Sequence, residues 1–238
     1  MDKYIVANWK MNNTFADIPV FVKYLKKNAK KEKNLVVCVP STMVNAFAKC
    51  AKKVAATGAE NCHYAKKGAY TGEISPAMVK EAGASYVIIG HSERRQLFAE
   101  NNEFLNKKLK SALEEGLKVI FCIGETLEEK SKYKSVLKKQ IVEGFDGIVD
   151  FSNIIVAYEP VWAIGTGKVA TTADIQKVHS YIKGTIKELF NADAPVLYGG
   201  SVKPSNSAEI LALDAVDGVL IGGASLKAED YVAIAKSR

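Results

Sequence analysis

Residues 154–170 read I-I-V-A-Y-E-P-V-W-A-I-G-T-G-K-V-A. The first five residues form a short apolar run, which is typical of a strand buried on both faces in a parallel sheet. The carboxylate of Glu159 comes next, and Pro160 ends the strand because it has no N–H to donate to a neighbouring strand. The stretch therefore predicts a buried parallel strand with an acid at its carboxyl end.

The loop after this strand combines bulky apolar residues with glycines. It covers residues 160–168: Pro160, Val161, Trp162, Ala163, Ile164, Gly165, Thr166, Gly167 and Lys168. This composition favours a lid that packs over a site and moves about its ends. A tight strand–helix connection beside a surface glutamate is the alternative. In either case Thr171 and Asp174 predict the start of a helix.

Short apolar runs of the same kind recur roughly every thirty residues along the chain. They cover residues 4–7, 35–39, 54–59, 86–89, 118–122, 154–158, 196–198 and 218–221. Helical patterns lie between them. Ser75-Pro76 is typical of a helix start, and Gly83 of its end. The spacing of Ile175, Val178, Ile182, Ile186 and Leu189 predicts the buried stripe of a later helix.

Eight alternations of strand and helix favour parallel pairing through right-handed crossovers. A chain of 238 residues accommodates eight such units as a closed barrel. We therefore predict an α/β fold, a single-domain (β/α)8 TIM barrel with eight parallel strands, in which residues 1–238 form one catalytic domain. An open doubly wound sheet is the alternative.

The composition restricts the class of protein and its partners. The chain is 48% hydrophobic and 25% charged, and no apolar run reaches the ~20 residues that span a bilayer. We expect a cytoplasmic protein without a membrane partner. The net charge is +7, but only Arg94, Arg95 and Arg238 are arginines, whereas nucleic-acid readers favour arginine and stacked aromatics. We therefore interpret the lysine runs as solvated helix surfaces and expect no nucleic-acid partner.

The four cysteines are scattered through the chain at Cys38, Cys50, Cys62 and Cys122. They form no C-x-x-C pair, and no histidine lies at metal-finger spacing from two of them. We interpret them as reduced thiols that mostly fill the core. We expect no metal site.

In a barrel of this kind the active site lies at the carboxyl ends of the strands. Polar residues and glycines follow five of the predicted strands: Asn8 and Lys10, then residues 90–95, then Glu159, then residues 199–201, then Gly222 and Gly223. Because these ends meet at one rim, we expect the side chains to share one site.

The residue types at this rim predict acid–base chemistry on an anion. Glu159 is a candidate base, and Lys10 is a cation able to stabilise an enediolate. A helix that starts at His91 would disfavour the imidazolium, which leaves a neutral hydrogen-bond donor. The glycine pairs after the last two strands favour a phosphate site, with two tight turns as the alternative. Together these features predict proton abstraction beside the carbonyl of a small phosphorylated sugar under a lid that excludes water.

Five motifs carry a resemblance to a known family. They are N-W-K-M-N at 8–12, G-A-Y-T-G-E at 68–73, G-H-S-E-R-R at 90–95, A-Y-E-P-V-W-A-I-G-T-G at 157–167 and Y-G-G-S-V at 198–202. In these residues and their order the chain resembles the triosephosphate isomerases along nearly its whole length. Members interconvert dihydroxyacetone phosphate and glyceraldehyde 3-phosphate through an enediol(ate), in glycolysis and gluconeogenesis, without a cofactor.

The resemblance implies a role for each matching residue. Glu159 is the base, His91 the neutral electrophile and Lys10 the electrostatic group, with Asn8 holding the site. The remaining roles are support by Ser92 and Glu93, phosphate binding by Gly165, Ser201, Gly222 and Gly223, and a lid at residues 160–168. These roles, including the lid closure and the neutral state of His91, follow from the resemblance and not from composition or spacing.

A homodimer is also implied, because the loop that carries Thr71 reaches the neighbouring subunit in this family. Glu60 departs from the usual glutamine near that interface and adds a charge there. Two other functions stay open on the sequence. One is a different phosphate-binding barrel enzyme with a larger substrate. The other is a secondary surface-binding role, as an adhesin or on nucleic acid, for the lysine-rich exterior.

Overall fold

A computed structural model describes residues 2–164 and 170–238. Within them, eight parallel strands close into one barrel: β1 Tyr4–Asn8, β2 Leu35–Val39, β3 Ala56–Ala59, β4 Tyr86–Ile89, β5 Lys118–Ile123, β6 Ile154–Tyr158, β7 Val196–Tyr198 and β8 Gly218–Ile221. Ile5 of β1 lies opposite Leu35 of β2 on one side and Val219 of β8 on the other. This pairing of the first strand with the last confirms the closed barrel and excludes the open sheet.

The predicted third strand begins two residues too early. Val54 and Ala55 still belong to the turn before β3, since both donate their backbone N–H to the carbonyl oxygen of Ala51, at 2.9 and 3.2 Å. An N–H bonded to that turn cannot join the ladder of the sheet, so β3 starts at Ala56.

Helices surround the barrel. In the described part of the chain they are α1 Asp17–Asn28, α2 Val44–Ala51, α3 Pro76–Glu81, α4 Ser92–Leu97, α5 Asn102–Glu114, α6 Tyr133–Gly144, α7 Thr172–Phe190, α8 Ser207–Leu211 and α9 Ala228–Lys236. The predicted starts of α3 and α7 are confirmed: Ser75 and Thr171 accept the backbone N–H groups of Met78 and Asp174. None of the helices in residues 2–164 and 170–238 has both the length and the apolar character needed to cross a bilayer.

The predicted stripe on α7 is correct except at its last member. Ile175, Val178, Ile182 and Ile186 are buried, but Leu189 is 39% exposed. The next residue, Phe190, points inward instead, and its ring centroid lies 5.2 Å from that of Phe151. Helical phase explains the difference, because Phe190 stands four residues after Ile186 and so lies on the same face.

Alternation along the strands creates two apolar layers. One set of side chains fills the interior of the barrel, including Val6 of β1 and Ala157 of β6. The other set packs between the strands and the helices. Because side chains alternate with a period of two, Asn8 and Glu159 continue the inward-facing rows of Val6 and Ala157. Because of this alternation, the side chains of Asn8 and Glu159 both lie inside the mouth of the barrel.

All four cysteines are free thiols in the structure. Cys38, Cys62 and Cys122 are buried and Cys50 is half-buried. The pKa of Cys62 is raised to about 12, mainly by burial, so this thiol stays protonated at neutral pH. The prediction that the cysteines mostly fill the core is confirmed.

Candidate active site

A cavity of about 740 Å³ opens at the carboxyl ends of the strands. Its lining includes the rim residues singled out from the sequence: Asn8, Lys10, His91, Glu159, Ser201, Gly222 and Gly223. These residues follow five different strands and are up to 215 positions apart in the chain. Closure of the barrel is what brings them together.

The carboxylate of Glu159 is fixed at the wall of this cavity. The side chain is 2% exposed, and the backbone N–H of Ser92 donates to its Oε2 at 2.8 Å. Its Cγ has room because the neighbour is Gly199, where a Cβ would lie only 3.0 Å away. The donor at Oε2 orients the carboxylate and leaves Oε1 directed towards His91.

His91 lies against this carboxylate and immediately before α4. Its Nε2 is 3.0 Å from Glu159 Oε1, and its Nδ1 accepts the backbone N–H of Glu93 at 3.2 Å. Burial lowers the pKa of His91, but the charge of Glu159 opposes it and the net direction is upward. The N–H that points at Nδ1 leaves no room for a second proton there. This contact favours the tautomer that carries its proton on Nε2, the nitrogen that faces Glu159.

Lys10 provides a cation in the same cavity, beside the turn that carries His91 and Glu93. Its backbone adopts the left-handed conformation, with φ of 54°, and its N–H donates to Asn8 Oδ1 at 3.1 Å. The ammonium lies 2.6 Å from Glu93 Oε1. A non-glycine residue with positive φ is strained, and such strain often marks functional sites. Asn8 thus holds the backbone of Lys10, and Glu93 holds its ammonium at the rim.

The last two strands end in a region suited to an anion. Gly223 starts a short 3₁₀ helix, Gly223–Ser225, and no atom lies within 4 Å of the point where its Cβ would stand. The first N–H groups of a helical turn have no partner within the turn, so they can bind an anion in the cavity. Ser201 lines the same part of the cavity and adds a hydroxyl.

The amino-terminal part of the lid packs down on the protein. Residues Val161–Ala163 form a 3₁₀ turn, and Ala163 is fully buried. Trp162 donates its indole N–H to Glu125 Oε1 at 2.9 Å, and Lys130 Nζ lies 3.6 Å from its ring centroid. Ile164 reaches the cavity wall. The predicted lid residues Gly165, Thr166, Gly167 and Lys168 lie outside the described residues.

Comparison with known proteins identifies the family. The family model described as triosephosphate isomerase matches residues 3–238. The chain is 45% identical to the triosephosphate isomerase of Prosthecochloris aestuarii, covering 99% of this chain and 97% of that protein. It is 46% identical to that of Chlorobaculum tepidum, covering 98% and 99%. The crystal structure of triosephosphate isomerase from Bartonella henselae superposes with a TM-score of 0.91 at 39% identity, over 100% of this chain and 99% of that one.

The chain belongs to the triosephosphate isomerase family.

Membership of this family does not make every site residue visible in the sequence. Glu125 follows β5, is 1% exposed, and accepts hydrogen bonds from the Trp162 indole and the Tyr158 hydroxyl, each at 2.9 Å. Burial raises its pKa, and these two donors oppose the shift. An acid at the end of an apolar strand, two positions before a large hydrophobic residue, was the available signal. The sequence could not show that two distant aromatic residues donate to it.

Steric fit explains the pair Gly199-Gly200. A Cβ on Gly200 would lie 2.2 Å from the Tyr198 hydroxyl, just as one on Gly199 would crowd Glu159. Both glycines therefore make room for neighbouring side chains of the site. Ser201, Lys203 and Ser205 of this loop line the cavity with polar side chains.

Proposed function

We propose that this isomerase interconverts dihydroxyacetone phosphate and D-glyceraldehyde 3-phosphate in glycolysis and gluconeogenesis. The observation that carries the proposal is the facing pair of Glu159 and His91, a fixed carboxylate 3.0 Å from an imidazole Nε2 in one cavity. A base and a neutral hydrogen-bond donor on the same small substrate are what an enediolate mechanism needs. We place residues 1–238 in one catalytic domain and the protein in the cytoplasm.

In this mechanism Glu159 removes the proton from C1 of the ketose. The C–H electrons form the C1–C2 double bond, and the carbonyl oxygen on C2 becomes the enediolate oxygen. His91 donates its Nε2–H to the oxygens of C1 and C2, and the Lys10 ammonium stabilises their negative charge. His91 then passes the proton of the C1 hydroxyl to the C2 oxygen, so that the negative charge moves to the C1 oxygen. Glu159 returns its proton to C2, the electrons on the C1 oxygen form the aldehyde carbonyl, and the aldose results. Ser92 and Glu93 act indirectly, by orienting Glu159, His91 and Lys10.

The phosphate group anchors the substrate at the other end of the cavity. We assign its binding to the Ser201 hydroxyl and the backbone N–H groups of Gly165, Gly222 and Gly223. The lid, residues 160–168, closes over the enediolate, because water would promote loss of its phosphate. A deep, water-excluding site also strengthens each hydrogen bond to the developing charge.

The test is a coupled assay with glyceraldehyde 3-phosphate on the purified protein and on the Glu159→Gln variant. Glutamine keeps the shape of the side chain and the acceptor for Ser92 but removes the base. We expect fast turnover by the unmodified protein and a loss of kcat on the order of 10³ or more in the variant. Comparable turnover by both proteins would rule out Glu159 as the base. Absence of turnover in a folded, unmodified protein would refute the proposed reaction.

We further propose a homodimer assembled through the loop that carries Thr71. Residues 66–73 are exposed throughout, and large apolar side chains near the same end of the barrel are exposed as well: Met11, Phe15, Tyr70, Met78, Leu97 and Phe98. Exposed apolar residues in such number favour a protein–protein contact. Sedimentation should give about twice the mass of 25.9 kDa, and Thr71→Arg should shift it towards the monomer. A monomeric unmodified protein would contradict the proposal.

A further inference from the structure

The net positive charge of this chain comes from its first quarter. Residues 1–60 contain eleven lysines and four acidic residues, a formal charge of +7, which equals the charge of the whole chain. The other 178 residues contain 22 basic and 22 acidic residues and are formally neutral. The excess therefore belongs to one side of the barrel, which is formed by β1 to β3 with α1 and α2.

Most of these lysines have no acidic partner. Eight of them are exposed and form no ion pair with any acid in residues 2–164 or 170–238: Lys23, Lys26, Lys27, Lys30, Lys31, Lys49, Lys52 and Lys53. We call these eight residues the lysine surface. The one acid between residues 18 and 59, Glu32, is bound to Arg238 at 3.0 Å. No carboxylate of this segment is available to neutralise the surface.

The fold places the lysine surface at the end of the barrel away from the active site. Each helix runs antiparallel to its strand, so the carboxyl ends of α1 and α2 lie beside the amino ends of the strands. Lys26, Lys27 and Lys49 stand in the last turns of these helices, where a cation also complements the helix dipole. That local role does not explain the lysines beyond the helix ends, such as Lys30 and Lys52.

An apolar groove adjoins the lysine surface. It has a volume of about 410 Å³ and lies where α1 packs against α9. Apolar side chains of Val20, Phe21, Tyr24 and Leu226 line it. Val20 is 71% exposed. The charged margin of the groove consists of Lys23, Lys27, Lys227, Asp17 and Glu229. Val20, Lys23 and Lys27 are three and seven residues apart, so they form one stripe along α1.

We propose that the lysine surface and this groove dock the protein onto an anionic phospholipid bilayer. The lysines meet the phosphates and carboxylates of the headgroups, and Val20 with the groove takes apolar parts of the lipid. Flexible lysine stems suit a planar array of mobile headgroups, and clusters of basic residues on a helix are typical of such surfaces. No apolar run in the sequence is long enough to span a bilayer, which is why we expected no membrane partner. Peripheral docking, however, needs no spanning segment.

The same features disfavour a nucleic acid as the occupant. The eight residues include no arginine, and the segment 18–59 exposes no large aromatic side chain for stacking on bases. The helices present a convex outer surface of the barrel rather than a channel that would follow a strand. Most of the lysines lie at the end opposite the active site, whereas the groove extends along the flank of the barrel to Leu226 and Lys227, which also line the active-site cavity.

The test is co-sedimentation with vesicles of phosphatidylcholine containing about 30% phosphatidylglycerol, beside pure phosphatidylcholine vesicles. We expect binding to the anionic vesicles alone, and weakening as the salt concentration rises from about 0.01 to 0.15 M. Each lysine near such a bilayer strengthens partitioning roughly fivefold, so replacing four should weaken it at least about a hundredfold. The test variant carries Lys23→Gln, Lys26→Gln, Lys27→Gln and Lys30→Gln.

A matched control variant removes the same amount of charge elsewhere. It carries Lys132→Gln, Lys134→Gln, Lys138→Gln and Lys139→Gln, which are exposed lysines on or just before α6. The proposal requires the control variant to bind anionic vesicles as the unmodified protein does. Both variants should also keep full isomerase activity, because that activity shows that they are folded. Equal loss of binding in both variants would overturn it, because net charge alone would then be responsible. It would also fail if low-salt vesicles bind nothing, or if a short DNA duplex binds this surface more tightly than the vesicles do.

Discussion

Replacing Glu60 by glutamine should make the protein more stable at alkaline pH. The Glu60 side chain is half-buried, and its Oε1 has no hydrogen-bond partner in residues 2–164 and 170–238. Burial is the main cause that raises its pKa from 4.5 to about 8; the charge of Glu93 adds to the shift, and the backbone N–H of Lys10 and its charge oppose it. The folded protein therefore holds a proton that the unfolded chain releases at a much lower pH.

The size and direction of the effect follow from these two pKa values. Below about pH 4.5 both states are protonated and the carboxyl costs no stability. As the pH rises towards 8 the unfolded chain gains an ionised carboxylate that the folded state disfavours, so the free energy of unfolding falls. The difference between 4.5 and about 8 corresponds to at most about 5 kcal/mol, and partial exposure reduces it to about 2–4 kcal/mol.

The assay is urea unfolding at constant protein concentration between pH 5 and pH 9, followed by circular dichroism. Glu60→Gln should lose most of the decline that the unmodified protein shows and should be more stable by about 2–4 kcal/mol near pH 8. Glu188→Gln is the control, since it removes the same charge from an exposed position of α7. Parallel pH profiles for the Glu60→Gln variant and the unmodified protein would refute the reasoning.

Three further predictions concern the site and the core. Glu159→Asp should keep the fold and lower kcat about a hundredfold or more, because the shorter side chain misplaces the base; near-normal steady-state kinetics would exclude this role. His179 is fully buried against Tyr158, and burial lowers its pKa from 6.5 to about 3. Between these two values the unfolded chain binds a proton that the folded protein does not, so the free energy of unfolding decreases as the pH falls from 6.5 towards 3. His179→Phe should reduce that acid sensitivity in unfolding experiments at pH 4 and pH 7, and an unchanged difference would contradict this account. Lys108→Met should lower stability by about 3–5 kcal/mol in urea, since it removes a lysine 2.6 Å from the buried Glu100 carboxylate; a loss below about 1 kcal/mol would show that Arg94 is a sufficient partner.

Much of the fold could be predicted from local pattern. Apolar runs such as residues 35–39 and 154–158 are strands with the predicted limits, because strands buried on both faces need continuous apolar sequence. Caps such as Ser75 and Thr171 are equally local, since a side chain bonds a backbone N–H three residues later. The prediction for Leu189 was wrong because Phe190, four residues after Ile186, lies on the buried face of the helix and Leu189 does not.

The sequence by itself determined the succession of strands and helices along the chain, the residue types at the strand ends and the family motifs. Each of these depends only on short stretches of consecutive residues. Only the tertiary structure decided that Glu125 accepts from Trp162 and Tyr158 beneath the lid, and that Gly199 makes room for Glu159. It also decided that lysines from two helices, separated by a strand in the sequence, form one surface without acidic partners. Closure of the barrel is the physical reason. Closure determines which residues that are distant in the sequence come into contact, whereas sequence patterns report only on residues that are close together in the chain.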